Sequence, residues 1–129
     1  MTGPVQLIPE AWKNEVIRIL RRGDRASIEW TVQAQSDWQQ FGLPYEAYEQ
    51  LVVCLQDPNA LGRQVFGMSG AAEIWEFLFP HPLKIPTPLY GKIGLRNDNK
   101  SLVVKIFSTH IDRKGELEKA IQKFLKNRK

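Results

Sequence analysis

The alternation of hydrophobic and polar residues predicts three strands, at residues 72–79, 89–96 and 102–110. All three segments are rich in aromatic and β-branched residues, which favour strands. Four prolines separate the first segment from the second, and proline cannot donate to a strand ladder. The polar residues 97–100 tolerate a left-handed backbone and therefore predict a tight hairpin between the second and third segments. The three strands are thus expected to form an antiparallel meander.

The period of two within these strands divides their side chains between two faces of the sheet. In the second strand, Tyr90, Lys92 and Arg96 share one face, and the opposite face is apolar. In the third strand, uninterrupted alternation places Lys105 on one face and His110 on the other. An antiparallel sheet can keep one face in contact with water. We therefore expect the apolar faces to pack against helices, and the tyrosine and the three cations to lie together on an open face.

Amphipathic patterns predict helices on both sides of these strands. Apolar residues at helical spacing predict one helix over residues 11–22 and another that begins at Pro44. The region between them, residues 25–41, fits either one helix or a short strand at 27–32 followed by a short helix. Residues 115–126 form a further amphipathic pattern, with lysines on its polar side.

The order of these elements predicts the fold class. Helices come first, an antiparallel meander of three strands follows, and a helix comes last, which is the pattern of an α+β fold. A short strand at residues 63–67 would extend the meander to four strands. A length of 129 residues suits a single domain over residues 1–129. Within it, we expect residues 1–8 to form a flexible arm.

The composition is that of a globular protein, with 43% hydrophobic and 25% charged residues. No apolar stretch approaches the length of a membrane helix, and the first residues lack the pattern of a signal peptide, so we expect a cytoplasmic protein without a membrane partner. Cys54 is the single cysteine, which excludes a disulfide within the chain. His81 and His110 have no partner at metal-ligand spacing, so no metal or other cofactor is expected.

The net charge of +4 is concentrated near the end of the chain. Residues 1–110 contain 11 basic and 11 acidic side chains, whereas residues 111–129 contain 7 basic and 3 acidic ones. A local excess of cations suggests an anionic partner, such as a nucleic acid, an acidic protein or a membrane surface. Arg113 and Lys114 come just after the last predicted strand and are the best candidates for phosphate binding in this region.

Several short motifs from residue 43 onward resemble a known family. A helix that ends in LQDPN leads to a strand with "EIWEF", then to one with "PLYGKIGL" and one with "LVVKIFSTH". This succession resembles the RelE-like toxins of bacterial toxin–antitoxin pairs, and especially their MqsR-like branch, over roughly residues 43–114. The third strand ends in Phe-Ser-Thr-His where that branch has Ser-Phe-His. The resemblance implies an endoribonuclease, a hydrolase that cleaves mRNA and is neutralised by a protein antitoxin.

The resemblance also implies roles for single residues. RNA cleavage without a metal needs a base for the 2′-hydroxyl, an acid for the 5′-oxygen and cations for the charge on the phosphate. Lys92 and Lys105 would hold the phosphate, and Tyr90 would stack on a base or assist proton transfer. His110 is the natural acid or base, because imidazole titrates near neutral pH. Glu76 is an alternative base if it shares that face.

The remaining cations near this face are candidates for binding the RNA chain: Arg63, Arg96, Arg113 and Lys114. The same residues also fit a second interpretation, a non-catalytic α+β module that binds protein or nucleic acid, such as an adaptor or an immunity-type protein. Solvent-facing lysines and tyrosines discourage edge pairing of strands, and a basic helix is often only a solvated face. An enzyme needs these side chains to converge on one site, whereas a binding module needs only a charged surface.

Overall fold

The structure is a computed structural model that describes residues 2–23, 26–39, 44–67, 73–79, 89–98, 101–111 and 115–127. Within these ranges the chain is an α+β fold with four helices and a mixed sheet of six strands. The helices are α1 (Glu10–Arg22), α2 (Val32–Gln39), α3 (Pro44–Gln56) and α4 (Glu116–Lys126). The strands are β1 (Gln6–Leu7), β2 (Ile28–Trp30), β3 (Leu61–Val65), β4 (Glu73–Phe79), β5 (Leu89–Asp98) and β6 (Ser101–Ile111).

The strand order is β1-β3-β4-β5-β6-β2. Its centre is the predicted meander, in which β3, β4, β5 and β6 pair in sequence order and antiparallel. The whole sheet is larger than the three to four antiparallel strands that were expected, because the N-terminal part of the chain adds a strand at each edge. At one edge β2 runs parallel to β6, with Ile28 opposite Val104. At the other edge β1 runs antiparallel to β3.

The N-terminal segment, which was predicted to be a flexible arm, forms backbone hydrogen bonds along β3. The amide of Gly3 donates to the carbonyl oxygen of Gln64 at 2.8 Å, and the amide of Ile8 donates to that of Ala60 at 3.0 Å. The segment ends at Pro9, directly before α1 begins at Glu10. Proline at this position suits a helix start, because its missing amide hydrogen has no helical partner there.

The main core lies between one face of the sheet and the helices α1 and α3. Trp75 and Phe77 of β4 and Ile93 of β5 are buried there, together with apolar side chains of both helices. The indole of Trp12 in α1 donates to the backbone oxygen of Glu73 at 3.3 Å, which fixes the helix on the sheet. A Cβ on Gly91 would lie 3.1 Å from ring carbons of Phe77 and Phe79, so glycine lets these rings pack.

The opposite face of the sheet is partly covered by α4. This helix contacts β4, and its residues Ala120 and Phe124 line a groove together with Arg63. Arg63 is the register partner of Glu76, which alternates with the core residue Trp75 and therefore belongs to the other face. None of the helices in the described ranges is long and apolar enough to cross a membrane.

A β-bulge in β6 changes the predicted alternation of the last strand. Lys92 lies opposite Ser108, and the next residue of β5, Ile93, lies opposite Ile106, so Phe107 is the extra residue. A bulge of one residue reverses the alternation beyond it. His110 consequently takes the register position opposite Tyr90. Uninterrupted alternation had placed His110 on the face opposite to that of Lys105 and Tyr90, so this part of the prediction was wrong.

Candidate functional site

The most distinctive polar group in the sheet is a row of charged residues across three neighbouring strands. Arg63 of β3 lies opposite Glu76 of β4, and Glu76 lies opposite Lys92 of β5. Directly paired residues of antiparallel strands project to the same face. Tyr90 lies two positions before Lys92 on β5 and therefore shares that face. We refer to Arg63, Glu76, Tyr90 and Lys92 as the Glu76 cluster.

The carboxylate of Glu76 is the centre of the cluster, and the residue is only 4% exposed. Its Oε1 accepts a hydrogen bond of 2.8 Å from Nε of Arg63 and lies 2.7 Å from Nη2 of the same guanidinium. Its Oε2 accepts a hydrogen bond from the hydroxyl of Tyr90. A buried carboxylate is stable only when its oxygens are satisfied in this way. Glu76 therefore ties three strands together and orients both partners.

Lys92 is the second cation of the cluster. Its Nζ lies 5.8 Å from the centre of the Tyr90 ring, a distance at which ammonium and ring attract each other. Among the described residues, no carboxylate lies within ion-pair distance of it. A half-buried lysine whose ammonium lies beside an aromatic ring is suited to hold a phosphate.

A second group of charged residues lies on the same face, on the strands β5, β6 and β2. Lys105 of β6 is the register partner of both Gly94 in β5 and Glu29 in β2. The Nζ of Lys105 lies 3.3 Å from Oε2 of Glu29, and Nη1 of Arg96 lies 3.9 Å from its Oε1. Both cations are thus near the carboxylate of Glu29, a residue that was not among the candidates predicted from the sequence.

The structure brings five of the predicted site residues to one face of the sheet: Arg63, Tyr90, Lys92, Arg96 and Lys105. The backbone of His110 lies opposite Tyr90, and its side chain lies outside the described part of the structure. Arg113 and Lys114 also lie outside the described residues. Glu76, named as an alternative base, shares the face but has both oxygens occupied by Arg63 and Tyr90. In this arrangement it acts as an anchor for those two groups.

A groove runs along this side of the molecule up to the cluster. It has a volume of about 490 Å³ and lies between the N-terminal segment and α4. Val5 and Phe124 contribute apolar surface to it, and Arg63 and Lys123 contribute positive charge. A groove that is lined by apolar and by positively charged side chains suits an anionic chain that also carries aromatic rings.

Cys54 is unsuited to nucleophilic chemistry. Its thiol donates to the backbone oxygen of Leu78 at 3.3 Å. Burial, reinforced by the negative charge of Asp57, raises the pKa of the Cys54 thiol to about 12. Only the thiolate is reactive, so a raised pKa keeps the group inert at neutral pH.

We expect iodoacetamide to alkylate Cys54 of the folded protein at pH 8 at least about 100-fold more slowly than in the protein unfolded by urea, where the thiol has its ordinary pKa. Mass spectrometry over time measures both rates. Equal rates in the two conditions would contradict the buried position of this thiol.

The described part of the chain contains no group of three or more histidine, cysteine or carboxylate side chains that could hold a metal ion. Comparison of the chain with protein-family models, curated proteins and solved structures finds no match.

Proposed function

We propose that this protein is a toxin-like endoribonuclease of the RelE-like type, and within it of the MqsR-like branch, that cleaves RNA without a metal ion. The observation that carries the proposal is the Glu76 cluster. Its register places Glu76 between Arg63 and Lys92, and the Nζ of Lys92 lies beside the ring of Tyr90. The same face also carries Arg96 and Lys105. Under this proposal the physiological substrate is mRNA in the cytoplasm, and a protein antitoxin neutralises the enzyme.

The proposed reaction is an internal transfer of the phosphate. The 2′-oxygen attacks phosphorus, and the bond from phosphorus to the 5′-oxygen breaks as the new bond forms. The 2′-hydroxyl gives its proton to a base, and the leaving 5′-oxygen takes a proton from an acid. The products are a 2′,3′-cyclic phosphate and a 5′-hydroxyl. We assign proton transfer to Tyr90 and His110, which are register partners.

The cations have separate tasks in this scheme. Lys92 stabilises the negative charge that develops on the phosphate oxygens, because it has no carboxylate partner within the described residues. Arg63 is held by Glu76 at the end of the groove, where it contacts the phosphate chain next to the reacting group. Glu76 is a positioning residue, since its contacts run to Arg63 and Tyr90.

A non-catalytic binding module is the second candidate function. It is favoured by the balance of charge on the sheet face, where Arg63 is paired with Glu76, and Arg96 and Lys105 lie near Glu29. A surface with internally paired charges suits a protein partner that presents polar groups of both signs. Such a module would need no proton transfer at Tyr90.

Controlled expression in a bacterial host distinguishes the two candidates. We expect the wild-type protein, expressed from a tightly repressed promoter, to arrest growth and degrade bulk mRNA, and the Lys92→Ala/Lys105→Ala variant to do neither. Growth curves and RNA gels measure both effects. The matched control is Arg18→Ala/Arg21→Ala, which removes the same charge from α1, on the other side of the sheet. Intact RNA and normal growth with the wild-type protein would contradict the proposal and favour the binding module.

A further inference from the structure

We propose that Arg96 and Lys105 form a binding subsite for a phosphodiester of the RNA backbone, and that Glu29 occupies this subsite in the RNA-free protein. Glu29 thereby lowers the affinity for RNA. The inference rests on the proposed function, since it concerns the binding of the same substrate. Because Glu29 belongs to β2, this short edge strand would influence how strongly the sheet face binds RNA.

The geometry resembles that of an anion held between two cations. One oxygen of Glu29 lies 3.3 Å from Nζ of Lys105, and the other lies 3.9 Å from Nη1 of Arg96. Each oxygen thus faces a different cation. A phosphodiester has the same pattern, with two non-bridging oxygens that share one negative charge, and both Arg and Lys bind it readily.

Glu29 can leave this position easily. Its side chain is 52% exposed, so it can turn into water without losing hydration. Long and solvent-exposed ion pairs contribute little to stability, so little is lost when they separate. The side chains of Lys105 and Arg96 are 21% and 35% exposed and remain accessible to an incoming anion.

The charge around Glu29 favours the approach of an external anion. One carboxylate is shared by two cations, so a positive charge remains unmatched within this group. Lys92 adds a further positive charge on the same face. An RNA chain that follows the face from Arg96 to Lys92 would meet three cations once Glu29 had turned away.

The contrast with Glu76 indicates which of the two carboxylates is replaceable. Glu76 is buried and holds Arg63 at 2.7 and 2.8 Å, so that pair is part of the folded framework. Glu29 is exposed, and its contacts are longer. The sheet face therefore combines one permanent ion pair with one that an external phosphate can exchange.

Binding of an RNA that cannot be cleaved tests the inference. A fluorescent single-stranded RNA with 2′-O-methyl groups lacks the attacking hydroxyl, so fluorescence anisotropy reports affinity alone. We expect Glu29→Gln to bind it roughly fivefold more tightly than the wild-type protein, because a competing negative charge is removed. The salt dependence of binding should also become steeper, because the gained phosphate contact releases counterions.

The matched control is Glu15→Gln. Glu15 forms a similar exposed pair, with Arg18 at 3.0 Å, on the helix that packs against the opposite face. The substitution changes the net charge by the same amount, and we expect it to leave RNA affinity nearly unchanged. In a background with Arg96→Gln and Lys105→Gln, the effect of Glu29→Gln should disappear, since there is no subsite left to compete for.

Three results would overturn the inference, and they differ in what they imply for the function. An equal gain in Glu29→Gln and Glu15→Gln would show an effect of net charge alone. An unchanged affinity in Glu29→Gln, together with weaker binding in Lys105→Gln, would remove the role of Glu29 and leave RNA binding in place. The absence of RNA binding in the wild type and in every variant would contradict the proposed function as well.

Discussion

Glu76→Ala is expected to lower the free energy of unfolding by about 3 kcal/mol, because it removes the carboxylate from a buried ion pair and leaves the cation behind. Arg63 loses its partner at 2.7 Å, and the hydroxyl of Tyr90 loses the acceptor that links β5 to β4. Urea denaturation followed by far-UV circular dichroism measures the change. This is the largest stability effect that we expect from any charged side chain of the sheet face.

Two further variants make this prediction specific. Glu29→Ala removes an exposed carboxylate from the same face and should change the free energy of unfolding by no more than about 0.5 kcal/mol. Arg63→Met in combination with Glu76→Met removes both charges and should recover part of the lost stability, because no unpaired charge stays buried. Equal unfolding midpoints for Glu76→Ala and Glu29→Ala would contradict the anchoring role of Glu76.

Lys92→Ala is expected to reduce the rate constant of RNA cleavage by on the order of 100- to 1,000-fold, the usual effect of removing one group that stabilises the transition state. The prediction rests on the proposed function and on the position of Nζ beside the Tyr90 ring. Single-turnover cleavage of an end-labelled RNA measures the rate constant directly. The stability of the protein should hardly change, since no ion pair of the described residues involves Lys92.

The control for Lys92 is an exposed cation on the other side of the sheet. Arg21→Ala removes one positive charge from α1 and should leave cleavage within about twofold of the wild type. Lys92→Arg keeps the charge and should retain part of the activity. If Lys92→Ala cleaves RNA as fast as Arg21→Ala does, Lys92 has no part in the reaction.

Local sequence patterns were sufficient to predict the strands at the centre of the sheet. The strands β4, β5 and β6 follow from alternation and from the proline-rich and polar segments between them. The shared face of Tyr90 and Lys92 follows from the period of two. Predictions of this kind succeed because the determining interactions lie within a few residues of each other along the chain.

The edges of the sheet and the charge pairs depended on residues far apart in sequence. β2 pairs with β6 across more than 70 positions, and nothing in the three residues of β2 specifies that partner. The contact of Glu29 with Lys105 could therefore not be predicted. Sequence patterns indicate that Arg63 lies near the site and that Glu76 lies on a strand, but their pairing depends on the register between β3 and β4. The bulge at Phe107 arises likewise from pairing between strands.

The pairing of β2 with β6 also has a consequence for how the chain folds during synthesis. Residues 28–30 cannot take their place in the sheet until residues 104–106 have been made and have left the ribosome. The helix α2 also contacts β6, so it cannot pack in its final position before that strand has been made. Contacts between distant parts of a chain slow folding and prolong the exposure of apolar surface. The nascent protein should therefore fold after synthesis of β6 rather than stepwise, and until then the apolar faces of its N-terminal helices are exposed to chaperones.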